Sequence, residues 1–316
     1  MDIKEYKKGD EIGILDLFES VFNKKMSLEY WEWRFIKNPI HKNPMITLMW
    51  DDDKIVGHYA ISPNKMQIND KTYLAALSMT TMTHPKYSGR GIFTKLATSL
   101  YKKEFERSEL SLVWGFPNNN SHRGFIKNLK WKNACVIPTL TLDVPSFKYI
   151  ESNKIDSFRE VKSISLDNVK VHDKCVQNYD IKLNKDLNYF NWRYTENPES
   201  QYIILEMQDS AFVVAKLYET NSTHEIDILE WSIPIDFNFT KEALNAILQC
   251  FAEKFTITKI NLWLPLNDKR HLDFEKLGFT NSAPLTYLGY SILNNNIGTK
   301  LSSDSWYFQM GDSDVY

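Results

Sequence analysis

The feature that most constrains the fold of this chain is an aromatic segment that occurs twice. Residues 29–39 read EYWEWRFIKNP and residues 188–198 read NYFNWRYTENP, with no gap between the two patterns. A tyrosine, a second aromatic residue, Trp-Arg, a third aromatic residue and Asn-Pro recur at the same offsets. Such self-similarity indicates a repeated structural unit. We therefore predict two related domains, which 316 residues with 43% apolar residues can support.

A weaker correspondence extends the repeat to the rest of each half. Residues 112–131 parallel residues 262–279 in the order of an apolar strand, an asparagine, a histidine and a closing apolar pair. Each half is predicted to contain an aromatic helix, several strands, a long helix, a further strand and a short helix. We expect domains at residues 1–145 and 186–316, with a linker at residues 146–185 that adds one or two strands.

The junction from strand to helix at residues 78–93 has the chemistry of an anion site. Gly89 and Gly91 permit backbone bends that other residues resist, and they let a ligand approach the main chain. The amphipathic helix after the loop leaves its first N–H groups without helical partners. Because Lys86 and Arg90 add positive charge, the junction predicts a phosphate-binding loop.

The run Lys86-Tyr87-Ser88-Gly89-Arg90-Gly91 resembles the signature of the GNAT acyltransferase family. The family has Gln or Arg at the first position, where Lys86 keeps the charge without the planar fork of arginine. The resemblance implies an α/β (α+β) fold of two tandem GNAT-like domains, each a mixed, mostly antiparallel twisted sheet flanked by helices. It also implies acetyl-CoA as the co-substrate, bound by the first domain, and no metal.

The resemblance further assigns cofactor residues by position. The main chain at the end of the fourth strand lies along the pantetheine arm, and the loop amides from Tyr87 to Phe93 converge on the diphosphate. Asn118 touches the arm, or is a plain turn residue, with equal weight. The residues expected to bind the cofactor are Thr81, Met82, Thr83, Lys86, Tyr87, Ser88, Gly89, Arg90, Gly91, Ile92, Phe93 and Asn118.

The acid and base are less well marked. The family often places a tyrosine after the fifth strand to protonate the leaving thiolate, whereas this chain has Phe125 and Ile126 there. His122 is the candidate acid, and a thiol with a pKa of about 8.5 leaves with little help. His84 and His58 are candidate bases, beside a water chain to a carboxylate, although a single histidine is more often a packed or surface residue.

The second half differs where the chemistry is expected. Residues 230–240 precede its long helix and contain no glycine, so this loop lacks the bends that a diphosphate cradle needs. Thr240 is expected to cap the helix. We interpret the second domain as a degenerate copy that shapes the acceptor cleft, so that one cofactor binds per chain.

The end of the chain has two interpretations. It docks through Trp306 and Phe308 and then frays. Alternatively, as in some tandem relatives of the family, a terminal carboxylate enters the active site. The candidates for that role are Asp312, Asp314 and the Tyr316 carboxylate.

The aromatic helix of the first half offers candidate acceptor contacts. Its aromatic residues surround the helix instead of forming one stripe, which favours packing against partners on several sides. Trp31 and Arg34 are nevertheless candidate walls of the acceptor site, because an indole and a guanidinium suit a sugar or a sugar phosphate.

Composition narrows the function classes. A formal net charge of −2 gives no basic field for nucleic acid. The sequence shows neither a signal peptide nor an apolar segment long enough for membrane insertion, so we expect a cytoplasmic protein. The three cysteines are far apart and predict neither a disulfide framework nor a metal pair.

These features together predict an acetyl-CoA-dependent N-acyltransferase that acetylates a primary amine of a small molecule. An amino sugar of surface polysaccharide biosynthesis is the preferred acceptor, and a polyamine, an aminoglycoside or a peptide amine is the alternative. A non-catalytic CoA-binding or scaffold protein is the hypothesis from another class. The sequence is compatible with an oligomer.

Overall fold

A computed structural model describes residues 1–41, 43–146, 158–220, 223–252, 254–298 and 301–316. The N-terminal elements are β1 (Asp2–Glu5), α1 (Glu11–Phe22), α2 (Leu28–Phe35), β2 (Met45–Asp51), β3 (Lys54–Ile68), β4 (Lys71–Thr83), α3 (Ile92–Ser108), β5 (Leu112–Gly115), α4 (Asn119–Asn128) and β6 (Lys132–Asp143). The later elements are β7 (Phe158–Val161), α5 (Leu166–Val176), β8 (Ile181–Leu183), α6 (Leu187–Phe190), β9 (Ile203–Met207), β10 (Phe212–Thr220), β11 (Thr223–Ser232), α7 (Phe237–Ala252), β12 (Ile257–Leu262), α8 (Arg270–Lys276) and β13 (Thr280–Ile292).

The first of two compact units consists of Met1–Cys135, Glu196–Glu199 and Tyr287–Leu301. Its strands pair in the order β1-β2-β3-β4-β5-β13. The pairing is antiparallel except between β4 and β5, which are parallel. A parallel pair needs a crossover connection, and α3 provides it.

Alternate residues of β2 show that both faces of this sheet are covered. Met45 and Met49 pack in a cluster with the buried face of α3, whereas Ile46 and Leu48 pack in a cluster with α1 and α2. Side chains of a strand alternate between the two faces, so the helices lie on opposite sides of the sheet. The predicted α/β class, a mostly antiparallel sheet flanked by helices, is confirmed.

The second unit consists of Val136–Thr195, Ser200–Thr286 and Ser302–Tyr316. Its strands pair in the order β7-β9-β10-β11-β12-β6, and β11 and β12 form the parallel pair on either side of α7. The apolar face of α7, with Leu244, Ile247 and Phe251, is fully buried against this sheet. The position of the parallel pair and its crossover helix is thus repeated in the two units.

The units interleave along the chain, whereas the sequence analysis expected consecutive segments. The end of β13 pairs with β5, from Gly289 opposite Gly115 to Ile292 opposite Leu112, so this late segment belongs to the first unit. The expected linker contains β7, α5 and β8, and its residues 147–157 lie outside the described residues.

Two local expectations of the second half are wrong. The long helix begins at Phe237, because the Asp236 carboxylate accepts the Phe239 amide at 2.7 Å. An aspartate in this position is a good cap, and Thr240 is buried within the helix instead. The chain end does not fray directly after Phe308. All residues from Trp306 to Ser313 are buried, and Val315 is the first exposed residue after them.

Within the described ranges, no helix combines the length and the apolar character needed to cross a bilayer. In the same ranges, no three His, Cys, Asp or Glu side chains are grouped so that they can hold a metal ion.

Candidate functional site

The end of β4 separates from its parallel neighbour. The pairs between β4 and β5 run from Ala75 opposite Leu112 to Leu77 opposite Trp114, although β4 continues to Thr83. On its other side β4 stays on β3, where the His84 amide donates to the Val56 carbonyl at 2.9 Å. Amides alternate in direction along a strand, so the Thr83 amide points to the side that β5 has left.

A bulge lies in this part of β4. Ala60 of β3 pairs with Met79, but His58, two residues earlier, pairs with Met82. One extra residue is therefore inserted in β4. Thr80 in the bulge has a φ of 47°, a left-handed conformation that costs free energy for a residue with a Cβ.

A glycine-containing loop connects β4 to α3. Gly89 and Gly91 have φ values of 78° and 71°, and a Cβ built on either residue has no atom within 4 Å. Gly91 is the N-cap of α3. The two glycines therefore adopt left-handed backbone conformations beside open space, as an anion cradle requires.

The free amides of the loop begin later than the sequence analysis expected. The amides of Lys86, Tyr87 and Ser88 are donated within the turn, to His84 Nδ1, the His84 carbonyl and the Pro85 carbonyl at 3.2, 2.8 and 3.3 Å. The amides from Gly89 to Thr94 have no hydrogen-bond acceptor in the part of the chain that the structure describes. The 3₁₀ turn at Pro85–Tyr87 uses the first amides, so the free amides run from Gly89 into the first turn of α3.

The side chain of Arg90, in the glycine loop, packs on a neighbouring ring. The Arg90 guanidinium lies 4.8 Å from the centre of the Tyr87 ring, and the Tyr87 hydroxyl donates to Asp51 Oδ2 at 2.6 Å. That hydrogen bond is the main cause that raises the pKa of Tyr87. Lys86, Ser88 and Arg90 are exposed, so their charge and hydroxyl face solvent at the loop.

The first turn of α3 carries the two apolar residues of the predicted set. Ile92 is buried in the cluster under α3. The Phe93 ring makes edge contacts with Tyr59 of β3 at 5.9 Å and with Phe125 of α4 at 5.0 Å between ring centres. Phe93 therefore joins the start of α3 to α4.

Helix α4 brings Asn118 and His122 to this side of the unit. Asn118 is the N-cap, and its Oδ1 accepts the amides of Asn120 and Ser121, both at 3.1 Å. The side-chain oxygen of Asn118 therefore has the structural role of a turn residue. Contact of its amide nitrogen with a cofactor stays a prediction.

His122 lies in the first turn of α4 and is oriented by two partners. Its Nε2 is 2.7 Å from Asn133 Oδ1, and its ring stacks on Tyr287 with 3.9 Å between centres and 9° between planes. An amide oxygen can only accept, so Nε2 carries the hydrogen and Nδ1 keeps a lone pair. His122 is half-buried and is the candidate histidine whose free nitrogen suits proton transfer.

His84 is arranged to donate rather than to accept. Its Nδ1 accepts the Lys86 amide at 3.2 Å, which leaves the hydrogen on Nε2 in the neutral ring. A base would have to take up its proton on Nδ1, at the cost of the hydrogen bond from the Lys86 amide. The geometry therefore disfavours His84 as the general base.

The sequence analysis expected His58 to be a candidate base, but its side chain is fully buried and cannot reach a substrate. Its Nδ1 is 2.8 Å from the Thr80 carbonyl, and Phe35 lies 6.0 Å away, edge to face. Burial lowers the pKa of His58 to about 4, although the bond to Thr80 opposes this shift. The candidate base is a neutral core residue against the β4 bulge.

The two candidate acceptor residues of α2 are also buried. Trp31 has no exposed surface and packs on Tyr6 and Phe35 with ring centres 5.3 and 5.5 Å apart. The Arg34 guanidinium is 5.6 Å from the Trp33 ring centre and is 3% exposed. Packing, the alternative that the sequence offered, accounts for both positions.

In the second unit, the C-terminal segment around Gln309 and Gly311 lies along the corresponding strand end. The parallel pairs of β11 and β12 end at Ile228 and Leu262. Beyond them, the Trp231 amide donates to Gln309 Oε1, and Gln309 Nε2 donates to Glu230 at 3.0 Å. A Cβ at Gly311 would lie 2.9 Å from the Leu229 carbonyl, so the chain passes directly against the strand.

Charged residues fix this C-terminal segment. Lys185 Nζ lies 2.6 Å from Glu230 Oε1 and 2.6 Å from Asp312 Oδ1. The repeated arginine, Arg193, donates to the carbonyls of Gly311 and Ser313 at 3.3 and 3.4 Å. Asp312 therefore pairs with a lysine of its own unit, which differs from the alternative of an active-site carboxylate.

A cavity of 590 Å³ in the first unit lies at the opposite end of α3 from the glycine loop. Among the residues that line it, Arg107 pairs with both oxygens of Glu5, at 3.0 and 3.1 Å, and Lys103 pairs with the same carboxylate. The charges of Lys103 and Arg107 are therefore balanced by Glu5 of the same unit.

A known family matches the N-terminal segment of the first unit. Residues 2–133 match the model of a family described as an acetyltransferase (GNAT) domain. This chain carries a GNAT domain. The GNAT domain spans β1 to β5 and α1 to α4, and therefore contains the bulge, the glycine loop and His122.

Solved structures share the fold of the chain beyond the GNAT domain. A GCN5-related N-acetyltransferase from Anabaena variabilis ATCC 29413 matches with a TM-score of 0.69 and 12% identity, over 93% of this chain and 73% of that chain. A protein from Enterococcus faecalis V583 described as a probable N-acyltransferase gives 0.67 and 11%, over 94% and 73%. A GCN5-related N-acetyltransferase from Kribbella flavida gives 0.66 and 12%, over 94% and 72%. At such identities the likeness shows the fold alone. No curated protein matches the sequence.

Several residues of the GNAT domain site were missed by the sequence analysis. Asp51, Asn133 and Tyr287 orient Tyr87 and His122, but each lies in another element and carries no local motif. The bulge at Thr80 likewise leaves no signal in a run of strand-forming residues. The sequence does contain one local signal for an acidic partner: Asp51 and the two aspartates after it lie at the turn before Lys54.

Proposed function

We propose that the protein is an acetyl-CoA-dependent N-acyltransferase that acetylates a primary amine of a small molecule. The observation that carries the proposal is the set of amides from Gly89 to Thr94, which have no acceptor in the described chain and lie at the start of α3. Backbone amides and the positive end of a helix bind phosphate groups. The GNAT domain supports acyl transfer as the reaction class.

The residues at the loop fit the co-substrate. The open space at Gly89 and Gly91 leaves room for a diphosphate against the main chain, and Arg90 adds a cation. Next to the loop, the end of β4 offers the outward amide of Thr83 for an extended arm. When bound, acetyl-CoA supplies an activated thioester acyl group.

Proton handling is assigned to His122. Its Nδ1 lone pair makes His122 a general base in this geometry, instead of the acid that the sequence analysis expected, and the bond from Nε2 to Asn133 together with the stack on Tyr287 fixes the ring. The absence of the family's tyrosine at Phe125 and Ile126 is tolerable, because a thiol with a pKa of about 8.5 leaves readily near neutral pH. Holding the amine beside the thioester accounts for the rest of the catalysis.

The acceptor is a small amine, and an amino sugar is the first to be tested. A polyamine, an aminoglycoside and a peptide amine complete the panel. We further propose that one co-substrate binds per chain. The contacts of Gln309 and Gly311 along β11 support this, since they occupy the strand end of the second unit.

The proposal is tested by CoA binding to loop variants. Gly89→Ala and Gly91→Ala place a methyl group into the space left for the diphosphate. Gly9→Ala is the matched control, because Gly9 also has a positive φ, 107°, and open space at its Cβ, but lies outside the loop. Strain of about 1–2 kcal/mol per residue is common to all three.

We expect calorimetry to give one CoA per chain and at least a 10-fold weaker Kd for each loop variant, with the control near wild type. A 10-fold change corresponds to about 1.4 kcal/mol, less than one hydrogen bond to a charged group. Equal Kd values for loop and control variants contradict the cradle. CoA binding without thiol release on any amine of the panel favours the non-catalytic scaffold.

A further inference from the structure

The bulge in β4 changes which residues share a face of the sheet. Met79 and Met82 are three residues apart, and in a regular strand their side chains would point to opposite faces. Both are buried in the cluster that contains the α1 and α2 residues. The extra residue therefore reverses the direction of every side chain and amide after Thr80.

This reversal determines which backbone amides of β4 point to the side that β5 has left. The bulge begins two residues after Leu77, the last residue that pairs with β5. Without the bulge, the Thr83 amide would point into the pairing with β3 and its neighbours would point outward. The bulge thus selects which amides of Thr81–Thr83 face the side where β5 is absent.

One side chain holds the bulge. Thr80 keeps its left-handed φ of 47° while its carbonyl lies 2.8 Å from His58 Nδ1 on the adjacent strand. A carbonyl oxygen only accepts, so the Nδ1 hydrogen of His58 is the donor. The ring is completely buried, and its Nε2 has no hydrogen-bond partner in the described chain.

Among the described residues, the bond to Thr80 is the one hydrogen bond of the His58 side chain. Its neighbours on this face include Phe35, Met82 and Leu48, which are apolar. A buried ring nitrogen without a partner destabilises a fold, so an apolar residue would pack at least as well. What a leucine cannot supply is the hydrogen bond to Thr80.

We propose that His58 is a positioning residue that maintains the β4 bulge and thereby directs the strand-end amides toward the acyl-CoA arm. The inference rests on the proposed function. It replaces the role of His58 as a general base, because the imidazole contacts neither solvent nor the cleft.

Three variants separate these roles. His58→Leu removes the donor. His58→Asn keeps one, since the asparagine amide nitrogen takes the place of Nδ1. The double variant His58→Leu/Thr80→Gly also lacks the donor, but glycine adopts a positive φ without strain, so the bulge no longer needs the bond. CoA Kd, KM for acetyl-CoA, kcat and its pH profile are measured for each.

We expect His58→Leu to raise the CoA Kd and the KM about 10-fold, as the loss of one or two main-chain contacts predicts. His58→Asn stays within about 3-fold of wild type, and the double variant recovers most of the loss. The kcat pH profile is unchanged in all three variants.

A CoA Kd for His58→Leu equal to that of wild type overturns the inference. So does a loss of kcat with an altered pH profile, which is the result for a general base. If His58→Leu does not fold, the comparison is made with His58→Asn and Thr80→Gly, and an altered kcat pH profile in His58→Asn then overturns it. Absence of CoA binding by the wild-type protein refutes the proposed function instead, so the two failures are distinguishable.

Discussion

Replacement of Lys185 by methionine tests what fixes the C-terminal segment in the second unit. Lys185 Nζ lies 2.6 Å from carboxylates of both Glu230 and Asp312, and all three side chains are at most 4% exposed. Burial by itself lowers the pKa of Lys185, but the two carboxylates outweigh it and hold the pKa above its usual value. The lysine is therefore charged at pH 5 and at pH 8.

The magnitude follows from the geometry. At 2.6 Å and an effective dielectric of about 20, each ion pair is worth roughly 6 kcal/mol before desolvation. Desolvation of the ammonium cancels several kcal/mol of this sum. Removal of the cation leaves two uncompensated carboxylates, so we expect Lys185→Met to lower the free energy of unfolding by about 3–5 kcal/mol at pH 8.

The loss depends on pH through Glu230. Burial raises the pKa of this carboxyl above its ordinary value of 4.5, and Lys185 opposes the shift, so removing the lysine raises the pKa further. A group with a raised pKa binds its proton more tightly in the folded state. Stability therefore falls as the pH rises from 4.5 to the folded value, and the defect of Lys185→Met is smaller at pH 5 than at pH 8.

Urea denaturation at pH 5 and pH 8 measures both effects. Lys182→Met is the matched control, because Lys182 Nζ is bound by the neutral carbonyls of Val176 and Tyr179, both at 2.9 Å. Asp173 and Asp180 act on Lys182 only as nearby charges, so its defect should depend less on pH than that of Lys185→Met. The variant Lys185→Met/Glu230→Gln is expected to recover part of the loss. A Lys185→Met defect under about 0.5 kcal/mol, or one that is equal at the two pH values, refutes the reasoning.

Two predictions concern the GNAT domain. Tyr87→Phe keeps the ring under Arg90 but loses the hydrogen bond to Asp51, so the CoA Kd should rise about 3-fold, in line with a net hydrogen bond of ~0.5–1.5 kcal/mol; an unchanged Kd in calorimetry shows that Asp51 does not orient the loop. His122→Gln should lower kcat about 10²-fold with an unchanged KM for acetyl-CoA, the low end of the range for general acid–base catalysis. A kcat equal to wild type in a thiol-release assay removes His122 from the mechanism.

The local elements of the site were accessible from the sequence because they depend on short segments. The glycine loop and the helix after it follow from Gly89, Gly91 and the apolar spacing that starts at Ile92. Glycine is needed wherever φ is positive without strain, and a helix always leaves its first amides free. The α/β class and the glycine loop with its free amides could therefore be predicted.

Roles of individual histidines were not accessible in the same way. His58, His84 and His122 are equivalent as residue types, and only their neighbours distinguish a core donor, a turn acceptor and a ring with a free nitrogen. Those neighbours are far away in the chain, as Tyr287 is from His122. Sequence patterns carry no information on such pairs.

The sequence by itself determined the repeated aromatic segment, the long helices and the position of the glycine loop. The tertiary structure alone decided that Thr80 forms a bulge, that Trp31 and Arg34 are core residues, and that Gln309 and Gly311 lie along β11. Backbone conformation and periodicity are set by neighbours within a few residues. Strand register, burial and the occupant of a strand end are set by the packing of segments that the chain order does not bring together.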